Sequence, residues 1–182
     1  MARAEIDLAA VERRARIAYE RARWRRAVLG SWPLAVLVAV CISGGVALPR
    51  VLPFALASAV VGIACLHHGR EHARAVLTGW IAGSLPLVVS LLACRIPHAC
   101  MAGTCYRWCM PACMLAGALA GMWVMRRALR REHGRIHHAL VGAAIATLTG
   151  AMGCMALGIG GTAGMLAGLA LGSAPAWVLA RR

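Results

Sequence analysis

The sequence predicts an all-α protein: a polytopic transmembrane six-helix bundle preceded by a cytoplasmic amino-terminal helix. Three observations carry this. Of 182 residues, 61% are hydrophobic and 14% charged, with a mean hydropathy of +0.72, a balance too apolar for an ordinary soluble domain. Long runs free of Arg, Asp and Glu recur along the chain, and the charged residues fall between them. The net charge of +14 comes from 20 basic residues, all of them Arg, against six acidic ones. Placed between apolar runs, arginines set orientation in a bilayer instead of tracking a phosphate backbone, so the expected partner is the lipid bilayer and not nucleic acid.

The first element is an Arg-rich arm over residues 1–26. Glu12 and Arg16, and Glu20 and Arg23, have the spacing of helical ion pairs, while Leu8, Val11, Ala15, Ala18 and Ala22 recur in helical steps. Such an arm either continues the first span and leans on anionic lipid or docks a cytoplasmic protein partner. It does not read as a cleaved signal, because the apolar stretch begins late, runs to full spanning length and lacks a small-residue cleavage site.

The membrane domain is expected over 27–182, with spans at about 27–48, 51–67, 75–94, 108–125, 138–157 and 160–180. A span needs about 20 apolar residues, and the second falls a little short. The uncharged run Ala139–Ala180 would extend about 63 Å as one helix, about twice the ~30 Å hydrocarbon core. It must fold back, and Gly158–Thr162 offers the glycines for a tight turn. With the amino terminus inside, seventeen arginines are cytoplasmic and only Arg50, Arg95 and Arg107 lie outside. That asymmetry predicts a multi-pass protein of a bacterial inner (plasma) membrane with both termini cytoplasmic. Trp32, Trp80, Trp108 and Trp177 fall near span ends, where indole rings favour the headgroup layer.

Between lipid-embedded helices, close backbone approach must supply the attraction. Small residues recur at four-residue steps along three spans: Cys109, Cys113, Gly117 and Gly121; Gly142, Ala146, Gly150, Cys154 and Gly158; and Gly160, Gly164, Gly168 and Gly172. These are packing seams, within one chain or between copies in a homo-oligomer.

The ionisable residues narrow the chemistry. All six carboxylates lie in segments assigned to the cytoplasm, so no span holds the acid that proton-coupled transport or intramembrane hydrolysis employs. Ser43, Ser58, Ser84, Ser90, Thr147 and Thr149 lack a neighbouring base and are expected to bond to their own helices. No catalytic residue is assigned, and the protein is expected not to be an enzyme.

Two clusters remain, on opposite faces. Cys94, Cys100, Cys105, Cys109, Cys113 and Cys154 gather at or near the outer side, where oxidising surroundings favour disulfides; six cysteines allow 15 pairings. Cys105, Cys109 and Cys113 form an i, i+4, i+8 ladder, which suits pairing with Cys154 or Cys94 across helices. The competing reading is a soft-metal site for Cu(I) or Zn, built from Cys100, Cys105, Cys109, Cys113 and His98. Cys41 and Cys65 stand apart as packing residues. On the inner side lie His67, His68, His72, His133, His137 and His138, as a solvated loop, a metal site or a pH sensor. There the pattern HGR-x-H occurs twice, at His68–His72 and His133–His137, each leading into a span and hinting at duplicated helical hairpins.

The runs CRIPHACMAGTCYRWCMPACMLAG, LTGAMGC and GMLAGLALGSAPAW, with ARIAYERARWRRAVLGSWPLAV near the start, resemble a group of small six-helix, cysteine-rich membrane proteins from GC-rich bacterial genomes. That resemblance implies the fold and no activity. In layout, a short arm followed by six spans, the chain is also similar to membrane-embedded anti-sigma factors, which implies a cytoplasmic partner held by residues 1–26. The function expected is therefore a non-enzymatic sensor or regulator with an extracytoplasmic cysteine cap, disulfide-stabilised or redox-labile. The alternatives are an anti-sigma-like regulator and a soft-metal or small-solute transporter.

Overall fold

The computed structural model describes residues 8–95, 105–132, 134–155 and 159–179, and they are almost wholly helical. The elements are α1 (Leu8–Gly30), α2 (Trp32–Ser43), α3 (Leu48–His68), α4 (Arg70–Arg95), α5 (Cys105–Leu129), α6 (Arg135–Cys154) and α7 (Ile159–Leu179). Among the described residues, Val11–Ser43, Leu48–His68, His72–Ala93, Met110–Leu129 and Arg135–Cys154 are long and apolar enough to cross a membrane. The helix α7 adds 21 residues without a charged side chain.

The arm and the first apolar segment form almost one rod. Its single interruption is at Ser31, two residues before Pro33, which brings no N–H to the helix; there the Val28 carbonyl accepts from both the Ser31 N–H at 3.1 Å and the Ser31 hydroxyl at 2.6 Å. The narrow stripe along the arm is uncovered, since Val11, Ala15, Ala18 and Ala22 are all exposed. Only its base is engaged, the Trp24 ring lying 4.8 Å from that of His67 on α3.

The first span was expected to run to residue 48, and it stops at Ser43. Gly45, at φ +89°, closes the helix in a left-handed turn: its N–H donates to the Ile42 carbonyl at 3.0 Å and the Val46 N–H to the Cys41 carbonyl at 3.1 Å. This is a Schellman cap, which needs glycine at that position, and Val46 packs into the same core cluster as Cys41. The residues released start α3 early, so the short second span becomes a helix of 21 residues with Pro49 in its first turn. The fold-back between the last two helices is also displaced. Helix α6 ends at Cys154, and Gly160, Gly161 and Thr162 lie inside α7 instead of in the turn.

The tightest contacts join α4 to α6 and α5 to α7, and both pairs run parallel. Gly79 and Gly83 of α4 face Gly142 and Ala146 of α6, and farther along Pro86 and Leu87 face Gly150 and Gly153. On the other pair, Gly117 and Gly121 of α5 face Met165 and Leu169 of α7, while Gly164, Gly168 and Gly172 face Met110, Met114 and Ala118. The expected small-residue seams are therefore occupied inside the chain, backbone against backbone. The hairpin α4–α5 lies beside α6–α7 in the same sense. Each HGR-x-H pattern opens one of these hairpins with a glycine at positive φ, Gly69 at +146° and Gly134 at +69°, so the repeat has a backbone reason.

Trp80 departs from the interfacial position expected of it. It is 2% exposed, and its indole N–H donates to the Ser58 hydroxyl of α3 at 3.3 Å. Ser58→Ala is expected to lower unfolding stability by about 1 kcal/mol, since an interhelical hydrogen bond contributes about 0.6 kcal/mol and the indole N–H would be left buried without a partner. A thermal melt in detergent checks this; no change would mean that the bond adds nothing.

Candidate functional site

The site of interest lies at the end of α6. Cys154 is the last residue of that helix, and Cys113 stands two turns into α5, just after Pro111. Their sulfurs approach to 3.7 Å, with the Cys154 thiol donating to Cys113. Both side chains are fully buried, in a cluster with Ala151 and Met165 that Phe54 of α3 closes.

The sequence positions this pair through the glycines around it. Gly150 leaves room for the Met165 thioether and the Pro86 ring, and Gly153 admits Ser90 and the Leu87 backbone. With α4 drawn so close, α6 turns its Gly142–Ala146–Gly150–Cys154 stripe inward, and all four residues are buried. Ser90 bonds its own helix, donating to the Leu87 carbonyl at 2.8 Å, as expected of serines in apolar helices. No acid or base of the described residues joins the cluster around the two thiols. Its chemistry is that of sulfur: hydrogen bonding, oxidation to a disulfide, or soft-metal ligation.

Of the six cysteines expected on the outer side, Cys113 and Cys154 are the two whose side chains are described, and the structure brings them together as unbonded thiols. Cys100 and His98 lie outside the described residues, as do the side chains of Cys94, Cys105 and Cys109. Cys41 is buried in the central core and Cys65 packs against it. Met110 and Met114, on the same helix as Cys113, press on Gly164 and Gly168 of α7.

The histidines expected on the inner side do not converge among the described residues. His67 and His68 end α3, their rings 5.9 Å apart, and the His68 ring bonds the Ala64 carbonyl at 2.8 Å through Nδ1. His138 is buried with its Nε2 unpartnered, whereas His137 on the next position is exposed. His133 is outside the described residues, and His72 joins no cluster. No group of three or more His, Cys, Asp or Glu side chains is placed to hold a metal among the described residues.

Two features of the site were not anticipated. Met165 is the buried third sulfur of the cluster, and its signal was its place between Gly164 and Gly168 on the seam of α7. Gly79 and Gly83 lock α4 onto α6, and the stretch Gly79-Trp80-Ile81-Ala82-Gly83 carries the small-xxx-small signature. In comparisons with known proteins, no family model matches the chain, and neither a curated protein nor a solved structure matches it.

Proposed function

We propose that the chain is a non-enzymatic sensor in a bacterial inner membrane, threading it six times with both termini cytoplasmic, and that the Cys113–Cys154 pair is its redox-labile element. The observation that carries this reading is the 3.7 Å separation of two buried thiols on different helices. Forming a disulfide brings the sulfurs to about 2.05 Å, a contraction of about 1.7 Å. Part is taken up by side-chain rotation and the rest by movement of α5 against α6. Because packed interfaces respond as two discrete arrangements and not as continuous springs, a small closure at the sulfurs biases how these helices sit at their Arg-rich inner ends. The exposed arm α1 and the segment Arg126–Arg135 are the surfaces that would present the change to a cytoplasmic partner.

The oxidant must reach an apolar interior, so its class is a lipid-soluble quinone. The two thiols surrender two electrons and two protons, the S–S bond forms, and the quinone leaves as hydroquinone. A variant retaining only Cys113 and Cys154 tests this in membranes treated with a short-chain quinone. After denaturation and alkylation with a mass-tagged maleimide, two additions are expected before treatment, none after it and two again after reductant. Cys154→Ala in that background leaves a single thiol that the quinone does not protect. Two alkylatable thiols persisting after oxidation would sink the reading, as would quinone-independent tryptic cleavage of the Arg126–Arg135 segment.

A further inference from the structure

A group of arginines that faces no carboxylate among the described residues is the feature that the thiol pair leaves unused. On the side of the bundle between α4 and α5, two recesses meet end to end and share Ile81 and Trp123. The one nearer the α5–α6 turn, of about 410 Å³, is lined by Arg74, Arg127 and Arg131 and, among the described residues, by no carboxylate. The other, of about 500 Å³, continues along Leu85 and Val88 of α4 and Leu119 of α5, and is mostly apolar. The hydroxyls along the way are already committed, Thr78 to the Arg74 carbonyl at 2.8 Å and Ser84 to the Ile81 carbonyl at 2.7 Å. Trp123, 45% exposed, forms the wall between the two, and the Arg127 guanidinium sits 5.2 Å from its ring centre. That contact holds one cation over the mouth of the apolar stretch.

We propose that this continuous recess binds one anionic phospholipid of the inner leaflet, with its phosphate among Arg74, Arg127 and Arg131 and an acyl chain along α4 and α5. The inference rests on the membrane reading given above. Its occupant follows from length and charge together. From Arg74 to Val88 the recess follows fourteen residues of helix, about 21 Å, which matches one leaflet with its headgroup layer, half of a ~40–45 Å bilayer. Guanidinium forks suit phosphate oxygens, and basic pockets between helices at the cytoplasmic side suit anionic headgroups. A free phosphate would fill the basic end alone and leave the apolar half without a role.

The test uses the full chain in detergent, offered equal amounts of phosphatidylglycerol and phosphatidylcholine with identical acyl chains, and counts retained lipid by native mass spectrometry. Phosphatidylglycerol is expected to be retained on the order of tenfold over phosphatidylcholine, given about a fivefold gain for each basic residue near an anionic headgroup less screening by detergent and salt. Replacing Arg74, Arg127 and Arg131 with Gln removes the preference, whereas the charge-matched change of Arg13, Arg14 and Arg16 to Gln on α1 retains it. Millimolar inorganic phosphate leaves the bound lipid in place. Equal retention of both lipids by the unaltered chain, or equal loss in both triple variants, overturns the proposal. Flotation with vesicles separates the two readings: a chain that floats but shows no preference loses only this site, and a chain that does not float loses the membrane reading with it.

Discussion

Gly168→Leu is expected to abolish recovery of folded protein, and Gly168→Ala to weaken it sharply. Even the single methyl of alanine would collide with the backbone of Met114 on α5. A clash with the far end of a flexible side chain can be relieved by a rotamer change, but a backbone carbonyl moves only if its helix moves. Gly172 meets Ala118 in the same way one turn later, while Gly117 and Gly121 reciprocate from α5 against Met165 and Leu169. Opening the pair at Gly168 therefore loosens these three further contacts. Overpacking a well-filled interior costs about 1–3 kcal/mol where side chains can adjust, and here they cannot, so the cost of leucine lies above that range. It is comparable with the whole stability of a small domain, at about 5–15 kcal/mol. Ala167 supplies the control. It sits on the exposed side of the same turn, and Ala167→Leu is expected to stay within about 0.5 kcal/mol of the parent. Size-exclusion profiles and thermal melts in detergent compare the three directly. Equal stability of Gly168→Leu and Ala167→Leu would show that α5 and α7 do not pack as described.

The contrast between those neighbouring positions shows what the sequence made legible. A four-residue repeat of glycine announced the seam of α7, because backbone approach is the main attraction open to apolar helices, and the structure places Gly164, Gly168 and Gly172 on it. The partner of that seam was not legible, since any small-residue stripe can accept any other. Nothing in local sequence chooses the parallel pairing of α5 with α7 over packing against α6. Hydropathy likewise announced the helices but misplaced their ends at Ser43 and Cys154. Apolar content says how long a run can be and not where its carbonyls are capped; the Gly44-Gly45 pair does that, through a positive φ that hydropathy does not register. Trp80 was misjudged for a related reason. An indole near the end of an apolar run suits both the headgroup layer and a buried hydrogen bond, and the deciding partner, Ser58, lies on another helix. For the thiols the sequence brought Cys113 and Cys154 to the same side, while their approach to 3.7 Å depends on Gly150 and Gly153 letting α4 close on α6.

A phosphatase fusion at Thr104 is expected to be active and one at Gly134 silent, with a fluorescent-protein fusion giving the reverse. The two positions flank α5, so in the proposed topology one crossing of a bilayer separates them, and the arginines set the sense of that crossing. Arg126, Arg127, Arg130, Arg131 and Arg135 crowd the Gly134 side, against Arg95 and Arg107 on the other. With about 1 kcal/mol for each basic residue near an anionic inner leaflet, the local difference favours Gly134 inside by about 3 kcal/mol. The eight arginines of residues 1–26 act in the same direction through the first span, although those farther than about 15–20 residues from it count little. The two contributions can be separated. Changing Arg126, Arg127, Arg130 and Arg131 to Gln leaves the arm to orient the bundle, and the fusion pattern is expected to persist. Removing the arm's arginines as well takes away most of the bias, so mixed activity at both positions is expected. Should the fourfold change alone invert the pattern, the local cluster would be the dominant signal and the arm a surface for something other than lipid. Equal phosphatase activity at Thr104 and Gly134 in the unaltered chain would place both turns in one compartment, and α5 would then not cross the bilayer at all.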